Sequence, residues 1–343
     1  MAATTVVTSP HFINHRTPSG HPECVGRAEV MLAVVSRMAN MQIKKPRRAS
    51  RSELLRVHDE THFEVVHATN SRFVSLDPDT HASPQSFDTA LLAAGAGLVA
   101  LECSLKTNGV AFALVRPPGH HAERNRAMGF CFFNNIAVAA SAALSSGVKK
   151  VAIVDFDVHH GNGTQQIFYN DPRVLFISIH QAPFYPWTGA VSESGCAKGA
   201  GFNVNIPVAA GATDGDYMLL FDEVIIPILR EFSSEVLLVS AGYDAHLNDP
   251  IGAMRISTDG FGMMTRKLKD VAVEQSGGRM VLVTEGGDDL IALSRSLEST
   301  IASLDPIGGS ELASGSMAEA PGGIGVDALE KVLSVQRTYW STL

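Results

Sequence analysis

The most constraining stretch of this 343-residue chain is Val151-Ala-Ile-Val-Asp-Phe-Asp-Val-His-His-Gly-Asn-Gly-Thr164. Its first half is a short, apolar, β-branched run without polar alternation, the pattern of a strand buried on both faces of a parallel sheet. The second half changes character. Asp155, Asp157 and His159 follow at spacings of two, so in an extended chain they point to one side, and Gly161 and Gly163 end the strand. Acids and imidazoles packed this densely behind an apolar run have no packing use. Open α/β sheets bind ligands at the carboxyl ends of their strands. Oxygen and nitrogen donors there fit zinc or a similar divalent ion.

The remaining apolar runs place further strands at Thr4 to Thr8, Gly109 to Val115, Arg173 to His180, Glu235 to Ala241 and Arg279 to Thr284. Helical patterns lie between them, at Val25 to Met41, Ser52 to His67 (with Ser52 as cap), Phe87 to Lys106 and Ile136 to Ser146. Others follow at Tyr217 to Phe232, interrupted by Pro227, and at Thr258 to Gln275. His58, His62 and His67 are spaced like one helix face, which reads as satisfied or surface histidines before it reads as a metal site. Residues 310–325 are rich in Gly, Ser and Ala and read as a flexible connection to a last helix, Val326 to Leu343, which Trp340 can dock. Strands alternating with helices, with no linker before Ser310, indicate one α/β domain with a parallel sheet.

A formal charge of -8 argues against binding nucleic acid by bulk electrostatics. The four cysteines, Cys24, Cys103, Cys131 and Cys196, include no C-x-x-C pair, which fits reduced thiols in a cytoplasmic protein. The first residues show no secretory pattern, and no uninterrupted apolar run is long enough to imply a membrane span. Whether the chain is a monomer or a homo-oligomer is left open. Gly195 to Gly201 is glycine-rich but lacks the Gly-Lys-Ser/Thr ending of a phosphate loop.

Four strand ends carry unusual polar groups: His120-His121, Asp155-x-Asp157-x-His159, Asp244, and Glu285-Gly-Gly-Asp288. At the carboxyl ends of apolar strands they converge on one pocket. The motifs Arg116-Pro-Pro-Gly-His-His-Ala122, Gly129-Phe-Cys-Phe-Phe-Asn-Asn135, Asp155 to Thr164 and Ala241-Gly-Tyr-Asp-Ala-His246 are specific. Through them the chain resembles the histone deacetylase and acetylpolyamine amidohydrolase superfamily, from His21-Pro-Glu to Trp340. Asn162 makes it similar to the class II or bacterial branch.

The resemblance implies a single catalytic domain over 1–343, an open parallel sheet flanked by helices as in the arginase and deacetylase fold. It implies zinc held by Asp157, His159 and Asp244, and potassium near Asp155, Asp157, His159, Ser178 and Ile179. His120 and His121 become the acid–base pair, with Asp155 and Asn162 as their partners. A carboxylate makes its imidazole more basic than an amide does, so the two histidines can differ in protonation. Phe130 and Tyr185, with Gly129 and Gly287, wall a channel for an acylated amine or small amide, such as acetyl-lysine or an acetylpolyamine. The related arginase group needs further acids two residues after the ligand histidine and after the last ligand aspartate. Gly161 and His246 stand there, which implies one metal and not two.

One position departs from the pattern. The family reads Glu-Gly-Gly-Tyr-Asp-Leu where this chain has Glu285-Gly-Gly-Asp-Asp-Leu290, so Asp288 replaces the tyrosine that donates to the substrate oxygen. An ionised carboxylate repels a developing oxyanion. The expectation is therefore a zinc-dependent deacylase of weakened activity, and the alternative is a relative that binds acyl ligands or serves as an interaction protein.

Overall fold

In the computed structural model, which describes residues 4–38, 41–304 and 320–343, the buried apolar runs pair into one eight-stranded sheet. In chain order the strands are β1 (Thr5–Val7), β2 (Gln42–Lys44), β3 (Val74–Ser75), β4 (His81–Ala82), β5 (Val110–Ala113), β6 (Val151–Asp155), β7 (Val174–Gln181), β8 (Asn203–Val208), β9 (Val236–Ala241) and β10 (Met280–Thr284). The sheet runs β2-β1-β5-β10-β9-β6-β7-β8 and every pairing in it is parallel, while β3 and β4 form a separate antiparallel pair. Every residue of β6, β7, β9 and β10 is buried, as a parallel sheet covered on both faces requires. Helices Ser86–Thr107 and Asn135–Ser145 pack together as one group; Val25–Arg37, Thr258–Ser276 and Leu290–Leu304 pack as another. The chain is a single domain.

This order positions the site. From β5 the chain skips two places to β6, runs outward through β7 and β8, and returns to fill the gap with β9 and β10. The strand order thus reverses over β5-β10-β9-β6, and a crevice opens beyond their carboxyl ends. Those four adjacent strands lead into His120-His121, Glu285 to Asp288, Asp244, and Asp155 to His159.

Elsewhere the elements depart from the sequence reading for identifiable reasons. The first helix stops at Arg37, and Gln42–Lys44 is an edge strand with no buried residue to give it a pattern. Helix 52–67 is two helices, Arg51–Leu54 and Glu60–His67. The first is capped by Ser50, whose hydroxyl accepts from Glu53 N–H while the Glu53 carboxylate accepts from Ser50 N–H. Strand β8 was hidden by Pro207, which an edge strand tolerates because no neighbour needs its missing N–H. The interruption expected at Pro227 is a π-helical turn, Phe221–Ile225, just ahead of it. Helix Leu290–Leu304 was not expected.

The last helix is Gly323–Gln336, and Trp340 lies beyond it, buried, donating from Nε1 to Gly201 O at 3.1 Å. Of the connection expected at 310–325, residues 310–319 lie outside the described residues. Gly322 and Gly325 donate their N–H groups to Asp216 Oδ1 and open the helix. Against the expectation of no membrane-length apolar run, helix Ser86–Thr107 is long and apolar enough to cross a membrane. Most of it is buried against β1, β5, β10 and its partner helix, which accounts for a helix apolar nearly all round.

Candidate metal centre and active site

Asp157 and His159 sit on the first turn after β6, and Asp244 on the first turn after β9. Backbone donors fix the carboxylates. Asp157 accepts the N–H of His159 (2.9 Å) and of Gly286 (2.8 Å), and Asp244 accepts that of Val158 (2.9 Å). His159 Nδ1 then lies 3.1 Å from an oxygen of each acid. One ligand atom from each residue falls within 4.8 Å of the others, the one such group of three among the described residues.

Burial pushes Asp244 up to about 8, with the Asp157 charge adding to it. Burial also pulls His159 down, but the two carboxylates outweigh it and hold it at about 10. Two buried acids around one imidazole thus call for a positive charge between them. Two oxygens and one nitrogen suit zinc and leave a further coordination position for other groups. Position 161, where the arginase pattern needs an acid, leaves no room for a side chain: a Cβ there would lie 2.3 Å from Asp155 Oδ2.

The turn after β5 brings His120 and His121 beside this cluster, ring centroids 4.0 Å apart. His120 Nδ1 lies 3.0 Å from Asp155 Oδ2, and its Nε2 3.7 Å from Asp157 Oδ1. His121 Nδ1 lies 2.7 Å from Asn162 Oδ1. The Asn162 amide nitrogen donates to Glu123 Oε1 at 2.9 Å, so its oxygen faces the imidazole and His121 carries its proton on Nδ1. His121 Nε2 is then a free lone pair.

Burial lowers both histidines. At His120 the charges of Asp157 and Asp155 overturn that and raise it to about 10. His121 is held well below its usual value by burial and by the charges of His120 and His159. The two rings are pushed in opposite directions, His120 towards the cation and His121 towards the neutral base, the division that a carboxylate partner and an amide partner produce.

A cavity of about 270 Å³ opens over these groups. Gly129, Phe130 and Tyr185 line it as expected, with Phe184, Ile251 and Asp79. A Cβ on Gly129 would come within 2.4 Å of the His121 ring, so only glycine admits the approach. Asp288 also lines the cavity, half-buried, pushed up to about 7 chiefly by burial. Gly287, expected in the channel wall, is corrected to Gly286. The Gly286 N–H reaches Asp157 and lines the cavity, whereas the Gly287 carbonyl accepts from Arg27 Nε at 2.8 Å. On the other side of β6, Asp155 is register partner to Ser178, with Ile179 next. Ser178 Oγ lies 2.9 Å from His180 Nδ1. The expected potassium residues are therefore adjacent.

A supporting layer was not foreseen. Glu285 accepts the N–H groups of Gly119 (2.7 Å) and His120 (3.1 Å) and the hydroxyl of Ser240 (3.2 Å), tying the histidine turn to β10 and β9. Arg27 donates to the carbonyls of Glu285 and Gly287 and to the Glu23 carboxylate. Arg116 holds Glu23 from the other side, Nη2 to Oε2 at 2.8 Å. Asp249 accepts the N–H groups of Asp288 (2.7 Å) and Asp289 (3.2 Å). The one signal in the sequence was charged residues in an otherwise loop-like stretch, Glu23 and Arg27 after His21-Pro22. Of the three helix-face histidines, His58 and His62 are buried on the carbonyls of Glu123 and Phe132, and His67 is solvent-facing.

The family described as the histone deacetylase domain matches residues 21–304. A protein of Archaeoglobus fulgidus named "Probable deacetylase" is 39% identical over 83% of this chain and 81% of its own length. Histone deacetylase 15 of Arabidopsis thaliana is 40% identical over 87% of this chain but only 54% of its own length. The crystal structure of the HDA15 HD domain superposes with a TM-score of 0.91 at 35% identity, covering 100% of this chain and 97% of that one.

Proposed function

The chain belongs to the histone deacetylase family, and from that premise we propose that it is a zinc-dependent amidohydrolase that removes an acetyl or other acyl group from an amine. Acetyl-lysine, an acetylpolyamine or a small amide is the substrate class, and water is the nucleophile. The observation that carries the reading is the unlike pair of buried histidines beside the triad, His120 on a carboxylate and His121 on an amide.

Asp157, His159 and Asp244 would hold the ion, and their donor set fits zinc. When bound, zinc supplies Lewis-acid polarisation of the amide carbonyl and makes water more acidic. The residues do the remaining work. His121 Nε2, with its lone pair free, takes a proton from the attacking water. His120, cationic against Asp155, offsets the negative charge that develops. The water oxygen bonds to the acyl carbon, the C–N bond breaks, and His121 returns its proton to the departing amine nitrogen. Glu285 keeps the histidine turn in place through the N–H of His120. Potassium beside Asp155 and Ser178 would add positive charge behind the triad.

A second reading rests on Asp288. A carboxylate in place of a phenolic donor favours slow turnover of ordinary acetyl amides, and at the limit a protein that retains acyl ligands. Metal content by mass spectrometry, with turnover of a fluorogenic acetyl-lysine amide and of acetylated polyamines, tests both readings. Stoichiometric zinc with measurable hydrolysis supports the enzyme. Zinc-loaded protein that binds these amides and cleaves none supports the second.

A further inference from the structure

The cavity that Asp157, His159 and Asp244 line is lined also by two groups of opposite charge, Arg27 and Asp288. Arg27 is itself only 1% exposed, so the cavity reaches into the interior there. A guanidinium has five N–H donors. Arg27 uses three, on Gly287 O, Glu285 O and Glu23 Oε1, and the other two have no partner among the described residues. The Asp288 carboxylate accepts no hydrogen bond among the described residues, and only its backbone N–H is engaged, by Asp249. Asp288 is the acid that acts most strongly on Arg27, yet the two make no ion pair. Unused donors and unused acceptors in the lining of one cavity are matched by a group that is donor and acceptor at once.

We propose that Arg27 and Asp288 make the cavity select a short acyl group bearing a hydroxyl, of the 2-hydroxypropionyl or 3-hydroxybutyryl kind, with the hydroxyl donating to Asp288 and accepting from Arg27. The proposal rests on the amide-hydrolysis reading above. An apolar acyl group of equal length displaces water and leaves both charged groups without a partner. A carboxylate-ended acyl group suits Arg27 and is repelled by Asp288, and an ammonium meets the reverse. A hydroxyl is neutral and satisfies both. The reaction is the same hydrolysis: water oxygen to the acyl carbon, C–N cleavage, a proton to the amine, and a free hydroxy acid as second product. No oxidant or reductant is involved.

The test compares matched pairs of acyl-lysine amides on the zinc-loaded protein: propionyl against 2-hydroxypropionyl, butyryl against 3-hydroxybutyryl in both enantiomers, with acetyl and succinyl alongside. In each pair the hydroxyl raises kcat/KM at least about tenfold for one enantiomer, the scale of a hydrogen bond to a charged group. Succinyl is slower than butyryl. Asp288→Leu, close in size, collapses the pair ratio to within about twofold, the ratio being read within each variant so that any change in its acetyl turnover cancels; if that variant does not fold, Asp288→Asn lowers the ratio instead. Pair ratios near one in the wild type overturn the inference and leave the hydrolase reading standing, as does a ratio unchanged in Asp288→Leu. If zinc is bound and no amide is cleaved, the hydrolase reading fails. Calorimetric affinities for the same pairs then decide the acyl preference: a tenfold difference sustains it and equal affinities overturn it.

Discussion

Asp288→Tyr is the substitution with the most informative outcome. The backbone at 288 is held independently of the side chain, since its N–H and that of Asp289 both donate to Asp249. The carboxylate accepts no hydrogen bond among the described residues, so its removal breaks none. The ring enters a cavity of about 270 Å³ with Gly286 beside it. What is lost is a half-buried acid, held up to about 7 by burial, that repels negative charge. What is gained is a neutral O–H donor facing the acyl oxygen. One such donor is worth about 10²–10³ in rate, roughly 3–4 kcal/mol. A new tyrosine will not reach ideal geometry, and Arg27 loses the acid that acts on it most. We therefore expect at least about a tenfold rise in kcat/KM on an acetyl-lysine amide, a discounted share of that effect. Zinc content and Tm stay level. The wild type prefers trifluoroacetyl amides or esters, whose leaving groups or carbonyls need less help, and the Tyr variant narrows that preference. Equal or lower acetyl turnover, with zinc and fold intact, would show that Asp288 acts in its own right and that the missing-donor argument is wrong.

Asp244→Ala leaves two ligands and should strip most of the metal from the purified protein; full occupancy by mass spectrometry refutes the triad. His121→Ala should keep zinc and lose about 10²–10⁴ in turnover, the usual worth of an acid–base group; unchanged turnover makes His121 structural. A third prediction concerns acid stability. His58 is buried, with Nδ1 2.9 Å from Glu123 O and Nε2 accepting the Asn134 N–H at 2.9 Å, so both ring nitrogens are engaged by the neutral form. Burial, with the nearby His62, lowers it to about 3. Its folded pKa lies below the unfolded value near 6.5, so its contribution is complete above that pH. It is lost as pH falls from about 6.5 towards 3, by up to about 1.4 kcal/mol per pH unit. His58→Gln can keep both hydrogen bonds and cannot titrate. Between pH 7 and 5, urea unfolding should cost the wild type about 1–2 kcal/mol more than the variant, and equal losses would count against the burial argument.

What was legible in the chain follows from which positions carry a one-dimensional signal. β6, β9 and β10 stand out because both faces are covered, which leaves uninterrupted apolar runs. Polar residues at their ends stand out by contrast, and that contrast placed Asp157, His159, Asp244 and the His120-His121 pair in one pocket. Edge strands carry no such signal. Gln42–Lys44 is too short and too exposed to show a period, and Asn203–Val208 contains a proline that argues against a strand unless its edge position is known. The Ser86–Thr107 helix shows the same limit in another form. Its apolar surface reads alike for a core and for a bilayer, and only its contacts with β1, β5 and β10 decide for the core.

The layer beneath the site was illegible for a different reason: its members are charged residues that bury one another. Glu23 is fully buried, and burial alone would raise its pKa; the Arg116 charge, then the His15 contact, then Arg27, reverse this and hold it at about 2. None of these partners is near Glu23 in sequence except Arg27, one helical turn on, so in the chain they read as loop charges. In the fold they form a relay of position. Arg116 donates to the carbonyls of Phe12 (3.1 Å), His15 (2.5 Å) and Glu23 (3.1 Å), fixing the N-terminal segment, and to the Glu23 carboxylate. Glu23 orients Arg27, and Arg27 grips the carbonyls on either side of Gly286, whose N–H in turn braces Asp157. Such an ion cluster is weak evidence for stability, because desolvation offsets most of the attraction. Its effect is directional: it presents a fixed cation to a cavity that otherwise holds an excess of carboxylates. The charge that an acyl group meets beside the metal triad is thus set by Glu23 and Arg27, more than a hundred positions before Asp157 in sequence, and by Arg116, through contacts that only the closed sheet brings together.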